Sequence, residues 1–275
     1  MIAGIIGDVI GSIYEAHQWQ VKDLDLIQSG DFDKALIKPF FENSKWMRKE
    51  QSWTDDTLCT LALYHSYTNK LSPIDSMVYF CSKYKNESIG FGKSFEKWIS
   101  SPTPYASYAN GSIMRIGFIP YLDLSLDDKL KLGQEYTGIS HNHSDSFQAV
   151  SSFILLSEKI KSGGDYRKIL TDFLKYYKFE KNVLDLHNGF NFEMNAMKTL
   201  LQACVVVLES DSFEDVLRNT FFVGGDSDTL ACVACNLSSY IFSSPEYLKN
   251  YSFESLKPFD DLFDIAKGFE KDLAV

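Results

Sequence analysis

The chain has 275 residues and a formal net charge of -10, with 45% hydrophobic, 15% aromatic and 23% charged residues. That balance is globular, and the aromatic share allows a large core. An acidic surface repels nucleic-acid phosphates, so DNA and RNA are not expected partners.

The chain opens on Met1-Ile2-Ala3-Gly4-Ile5-Ile6-Gly7-Asp8-Val9-Ile10-Gly11, then Ser12 to Glu15. This start is apolar but short, lacks a basic leader and contains Asp8, so it does not read as a signal peptide. No apolar run is long enough to span a bilayer. A cytoplasmic, membrane-free protein is expected. Gly4, Gly7 and Gly11 cost stability in a helix unless another backbone or a ligand comes close. Asp8, Gly11 and Glu15 lie at helical spacing on one face. Glu15 can serve there as a general acid or base, or be a solvated glutamate; taken alone, the solvated glutamate is preferred. Residues Val21 to Ser52 lack clear period and read as a long loop with one short helix at most.

Trp53-Thr54-Asp55-Asp56-Thr57 then leads into an apolar helical run from Leu58 to Tyr64. Capping alone would explain one Asp or Thr at a helix start. Here two acids stand together, which is unfavourable without a balancing cation. Ser72-Pro73 reads as an N-cap followed by proline at the first helical position. Ser107-Tyr108-Ala109-Asn110-Gly111-Ser112-Ile113-Met114-Arg115 is a small, polar loop that can aim N–H groups at a phosphate, or an ordinary Asn-Gly turn. Ser125 and Ser212 precede further helices with acids in their first turns. His141 and His143 stand two apart in a polar turn. They can ligate a metal or touch a phosphate, although lone surface histidines are commoner. No Gly-x-Ser-x-Gly elbow accompanies them.

Phe147, Val150 and Ile154 begin another apolar stripe. Lys178 to Phe192 is irregular. Met194, Met197, Leu201, Cys204, Val205 and Leu208 share one helix stripe. Gly224-Gly225-Asp226-Ser227-Asp228-Thr229 repeats the acidic pattern before the stripe Leu230, Val233, Ala234, Leu237 and Ile241. If the fold joins the two acidic starts, their four carboxylates suit a pair of hard cations. Cys232 and Cys235 form a CxxC without a second ligand pair. The five cysteines are therefore read as buried free thiols in a reducing compartment. No alternating strand series and no dividing linker are present. The expected fold is all-α, a compact multi-helix bundle formed by residues 1–275 as a single unit.

In this order, GDVIGSIYEAH, WTDDT, GFGKSFEKWI, SYANGSIMR, SHNHS and GGDSDTLA resemble the ADP-ribosylglycohydrolase family, which includes dinitrogenase-reductase-activating glycohydrolases and ADP-ribosylhydrolases. The resemblance implies an all-α, compact orthogonal multi-helix bundle with a binuclear metal site, its two divalent ions, Mg²⁺ or Mn²⁺, held by Thr54, Asp55, Asp56, Asp226, Asp228 and Thr229. It implies catalytic roles for Glu15, Asp55 and Asp56. It places ADP-ribose against Gly90, Phe91, Gly92, Ser107, Tyr108, Asn110, Gly111, Ser112, Met114 and His141. The partner implied is an ADP-ribosylated protein or an ADP-ribose conjugate, and the enzyme is expected to be monomeric. A non-catalytic ADP-ribose binder and a two-metal phosphoesterase are the alternatives. Ala109, Ser144 and Cys235 depart from the family pattern.

Overall fold

The computed structural model describes residues 1–15, 52–87, 90–189 and 191–273. They form thirteen α-helices, short 3-10 turns and no strand; two isolated bridge pairs, Tyr105–His141 and Ala109–Asn195, lie outside the α-helices. The helices are α1 (Ile2–Gly11), α2 (Asp55–Thr68), α3 (Pro73–Lys83), α4 (Lys93–Ser100), α5 (Leu126–Gly138), α6 (Ser144–Lys161) and α7 (Tyr166–Tyr176). There follow α8 (Val183–Asn188), α9 (Ala196–Leu208), α10 (Phe213–Val223), α11 (Ser227–Ser238), α12 (Glu246–Leu256) and α13 (Asp260–Leu273). Among the described residues, no helix is long and apolar enough to cross a membrane.

Three helices make the centre. Every residue of α11 is buried, as are nearly all of α1 and most of α2. Helices apolar on every side belong inside a bundle, with others wrapped around them. The glycines of α1 show how two of these helices meet. A Cβ on Gly7 would stand 2.4 Å from the Ala231 carbonyl oxygen, and one on Gly11 would stand 2.8 Å from Asp228 Cα. Backbone therefore packs directly on backbone, which brings the end of α1 to the start of α11. Gly7→Ala is expected to cost on the order of 2–3 kcal/mol, because the clash is with main chain that cannot rotate away. Thermal unfolding checks this; an unchanged midpoint would contradict the close approach.

The start signals in the sequence match the structure. Ser72, Ser125 and Ser212 each accept the backbone N–H three residues on and cap α3, α5 and α10. Four readings change. Helix α1 stops at Gly11 and a 3-10 turn over Ser12–Tyr14 follows, so Glu15 does not continue the α-helical face of Asp8 and Gly11. Met194 precedes α9 and is 50% exposed, because Asn195 caps that helix by accepting from Lys198 N. Ile241 lies beyond α11, in a turn closed by its N–H to the Ser238 carbonyl. The stretch 178–192 contains α8, nucleated by a reciprocal Asn182–Asp185 capping box that offsets its shortness. The loop expected over residues 21–52 lies, except for Ser52, outside the described residues.

All five cysteines are buried and free. Cys232 faces the Met114 carbonyl at 3.4 Å, so the CxxC serves packing within α11.

Candidate active site

The two acidic helix starts meet. Thr229 Oγ1 of α11 donates to Asp56 Oδ2 of α2 at 3.2 Å. Asp8, Asp56 and Asp228 offer carboxylate oxygens within 4.8 Å of one another, and so do Glu15, Asp226 and Asp228. Asp228 belongs to both groups, so six acids gather at this junction once Asp55 beside Asp56 is included. Glu15 reaches it because Tyr14 is fully buried, its ring stacked obliquely on Phe221 with centroids 4.4 Å apart.

Capping does not account for Asp55, Asp56 or Asp226. At the start of α2, Thr54 Oγ1 accepts from Asp56 N, and the distant Asp8 accepts from Thr57 N at 3.1 Å. The caps are thus Thr54 and Asp8, and the carboxylates of Asp55 and Asp56 are not needed for that task. At the start of α11, Asp226 makes no side-chain cap; it accepts from Asn110 Nδ2 at 2.7 Å instead. Asp56 Oδ1 is buried with no hydrogen-bond partner. A buried carboxylate oxygen without a donor is costly. An all-oxygen set that includes such an oxygen fits a hard divalent cation.

The electrostatics agree. Burial, then the charges of Asp228 and Asp8, holds the Asp55 carboxyl well above the ordinary range. Burial, then Asp8 and Asp228, does the same to Asp56. Burial and Asp226 raise Asp228. Burial pushes Asp226 up to about 6, moderated by hydrogen bonds that include the one from Asn110. Carboxyls raised in this way bind protons in the folded chain that the unfolded chain has released. The metal-free fold therefore loses stability as pH climbs from about 4 through about 6. A cation that replaces those protons restores it. The thermal gain on adding Mn²⁺ is accordingly expected to grow between pH 5 and 7, reaching about 2.7 kcal/mol at a hundredfold excess over Kd. Melting curves with chelator and with Mn²⁺ across that range check it; a gain independent of pH would contradict the role of these carboxyls.

Five of the six acids, all but Asp8, form the floor of a cleft of about 470 Å³. Of the residues singled out in the sequence, Glu15, Asp55, Asp56, Asp226, Asp228 and Thr229 line it at the acidic end. Gly90, Gly92, Ser107, Tyr108, Asn110, Gly111, Met114 and His141 line its walls. Thr54, Phe91 and Ser112 do not line it. Thr54 is fully buried behind Asp56, Phe91 packs on Phe95, and the Ser112 hydroxyl turns back to the Ala109 carbonyl.

One wall is the loop from Tyr105 to Ser112. It is strapped on both sides. Tyr105 N donates to Ser140 O and its carbonyl accepts from Asn142 N. Asn110 N donates to Met194 O, and Ala196 N donates to Tyr108 O. These straps use donors that the sequence suggested for a phosphate: the N–H groups of Asn110, Ser112 and Ile113 are all committed to protein carbonyls. Ala109 sits at φ -70 and ψ 155, ordinary backbone in which alanine is unstrained. The facing wall carries Gly92, Lys93 and Ser94 at the start of α4, a helix end without a side-chain cap.

The two histidines separate. His141 lies in the cleft wall with Nδ1 2.8 Å from Ser140 Oγ. Burial, with the Arg115 charge beside it, holds its ring well below the usual histidine range, so it is neutral at pH 7. His143 instead caps α6, accepting from Asp145 N at 3.1 Å, and joins no metal-binding group among the described residues.

Sequence reasoning missed several residues. Tyr105 and Ala106 extend the polar loop by two positions, and Cys59, Phe95, Phe192 and Met194 complete the lining. Arg115 also lines the cleft, its guanidinium held by the carbonyls of Tyr136 and Thr137 at the end of α5. Asp8 is the largest omission. The signal was a single acid inside an otherwise apolar, glycine-rich helix, a place where a carboxylate must find donors.

No curated protein compared with the chain matches it. A solved structure described as an ADP-ribosylglycohydrolase-related protein complex is similar to it, with a TM-score of 0.66 and 16% identity over 98% of this chain and 95% of that one. At that identity the likeness is one of fold. A family model described as ADP-ribosylglycohydrolase matches residues 1–242, a span that holds the whole acidic junction and every cleft wall. The chain belongs to the ADP-ribosylglycohydrolase family.

Proposed function

We propose that this protein hydrolyses the glycosidic bond at the distal ribose of ADP-ribosyl groups, on protein side chains or small ADP-ribose conjugates. The observation that carries the reading is the junction of α2 and α11, where five acids line a cleft floor and one buried carboxylate oxygen lacks a donor.

Thr54, Asp55, Asp56, Asp226, Asp228 and Thr229 would hold two divalent cations, Mg²⁺ or Mn²⁺. When bound, such ions supply Lewis acidity that orients ribose hydroxyls and eases deprotonation of water. The rest falls to the chain. Departure of the aglycone builds positive, oxocarbenium-like charge on the ribose, which a carboxylate-lined floor stabilises. Glu15, at the cleft beside Asp226 and Asp228, moves the proton, to the leaving group or from water. Asn110 fixes the Asp226 carboxylate through its amide. His141, neutral and buried, flanks the nucleotide without adding charge. The diphosphate would lie toward the uncapped start of α4, where free N–H groups and Lys93 favour an anion. That local site lets a chain of charge -10 bind a dianion.

The test incubates the protein with peptides ADP-ribosylated on serine or arginine and with O-acetyl-ADP-ribose, with Mg²⁺ or Mn²⁺. Free ADP-ribose from at least one of them is the expected product. Binding without release would make the chain a non-catalytic binder, and release of AMP would make it a phosphoesterase.

A further inference from the structure

Asp8 stands within carboxylate distance of Asp56 and Asp228, yet its oxygens are already engaged. Oδ1 accepts the Thr54 hydroxyl at 2.7 Å. Oδ2 accepts Thr54 N at 2.9 Å and Thr57 N at 3.1 Å. All of these donors lie at the start of α2, and all of the contacts are buried. Asp8 itself is fully buried and sits between Gly7 and Gly11, whose contacts set α1 against α11.

From this geometry we infer that Asp8 is a positioning residue of the cation centre: it accepts the hydrogen bond of the Thr54 hydroxyl and fixes the first turn of α2 against the start of α11. The inference rests on the divalent-cation reading above. A threonine hydroxyl can give a lone pair to a cation only when its proton points elsewhere, and Asp8 is where the Thr54 proton points. The same carboxylate anchors the backbone on either side of Asp55 and Asp56. Those two acids thereby keep their orientation before any ion arrives, which is how outer hydrogen-bond partners raise metal affinity.

A simple helix cap would make the same three hydrogen bonds and would matter only for folding. Mn²⁺ affinity, measured by calorimetric titration of the folded metal-free chain, separates the two roles. Asp8→Asn keeps the size but cannot accept from all three donors; its Mn²⁺ Kd is expected to rise by about 10- to 100-fold. Thr54→Val is expected to raise Kd comparably, and Thr54→Ser to bind close to the unsubstituted chain. Because Asp8 acts partly through Thr54, the double variant Asp8→Asn/Thr54→Val should lose less than the product of the two losses. If Asp8→Asn does not fold, the Thr54→Val and Thr54→Ser pair still decides, since Val binding as tightly as Ser overturns the inference. So does an Asp8→Asn chain that binds Mn²⁺ as tightly as the unsubstituted one, or a double variant with fully multiplicative loss. An unsubstituted chain that binds no Mn²⁺ overturns the cation reading itself, a different result from these.

Discussion

Asp56→Asn is expected to lose about 10²–10³-fold or more in kcat/KM, the scale of one preorganised charge contact, while making the metal-free protein more stable. The two effects share one cause. Asp56 is 1% exposed and raised well above the normal carboxyl range by burial and by Asp8 and Asp228. Without a cation, its charge costs folding free energy at neutral pH. An asparagine of the same shape removes that charge and still accepts from Thr229. The metal-free chain at pH 7 therefore gains stability, because the folded state no longer has to keep a buried acid protonated or charged. Adding Mn²⁺ should then stabilise the variant less than the parent chain. Kinetics together with melting curves, each with and without Mn²⁺, check the prediction. A variant that is both inactive and less stable without metal would mean that Asp56 holds the fold rather than an ion.

Glu15→Gln should reduce the rate of ADP-ribose release by about 10²–10⁴-fold, the range for losing a positioned proton-transfer group. Glutamine keeps the length and an oxygen next to Asp226 and Asp228, but carries no transferable proton. The loss belongs in kcat, with Mn²⁺ binding retained, because the oxygens of Asp55, Asp56, Asp226 and Asp228 remain. Single-turnover release and Mn²⁺ titration of the same preparation separate the two quantities. Release within tenfold of the parent would remove Glu15 from the chemistry and leave the carboxylates of α2 and α11 to supply it.

Much of the helical frame was legible in the sequence because its signals are local. Ser72, Ser125 and Ser212 cap where short-range rules place caps, and the apolar runs behind Thr54 and Asp226 form buried helices. The acidic starts stood out for a similar reason: two acids are more than one cap requires. Their meeting was not legible, because it depends on contacts between residues far apart in the chain. Gly7 against Ala231 and Gly11 against Asp228 set one pair of helices, and Asp8 on Thr54 and Thr57 sets the other. The glycine spacing hinted at a close approach without saying to what. Asp8 escaped for the same reason, since its donors lie more than forty residues away. Met194 escaped because an apolar side chain at a cleft rim looks in sequence like one more position of a helical stripe, and Phe192 because it closes a stretch without period. The loop around Asn110 read as a phosphate cradle from its composition, but Met194 and Ala109 take its N–H groups. Composition announces available donors; only the fold decides who receives them.

The proposed centre for two divalent cations joins the starts of α2 and α11. Titrating Mn²⁺ into the metal-free chain, with an Asp56→Asn/Asp228→Asn variant alongside, tests it most directly. Two ions per parent chain, and loss of both from the variant, are the expected result. Binding that is absent from the parent, or undiminished in the variant, would contradict it.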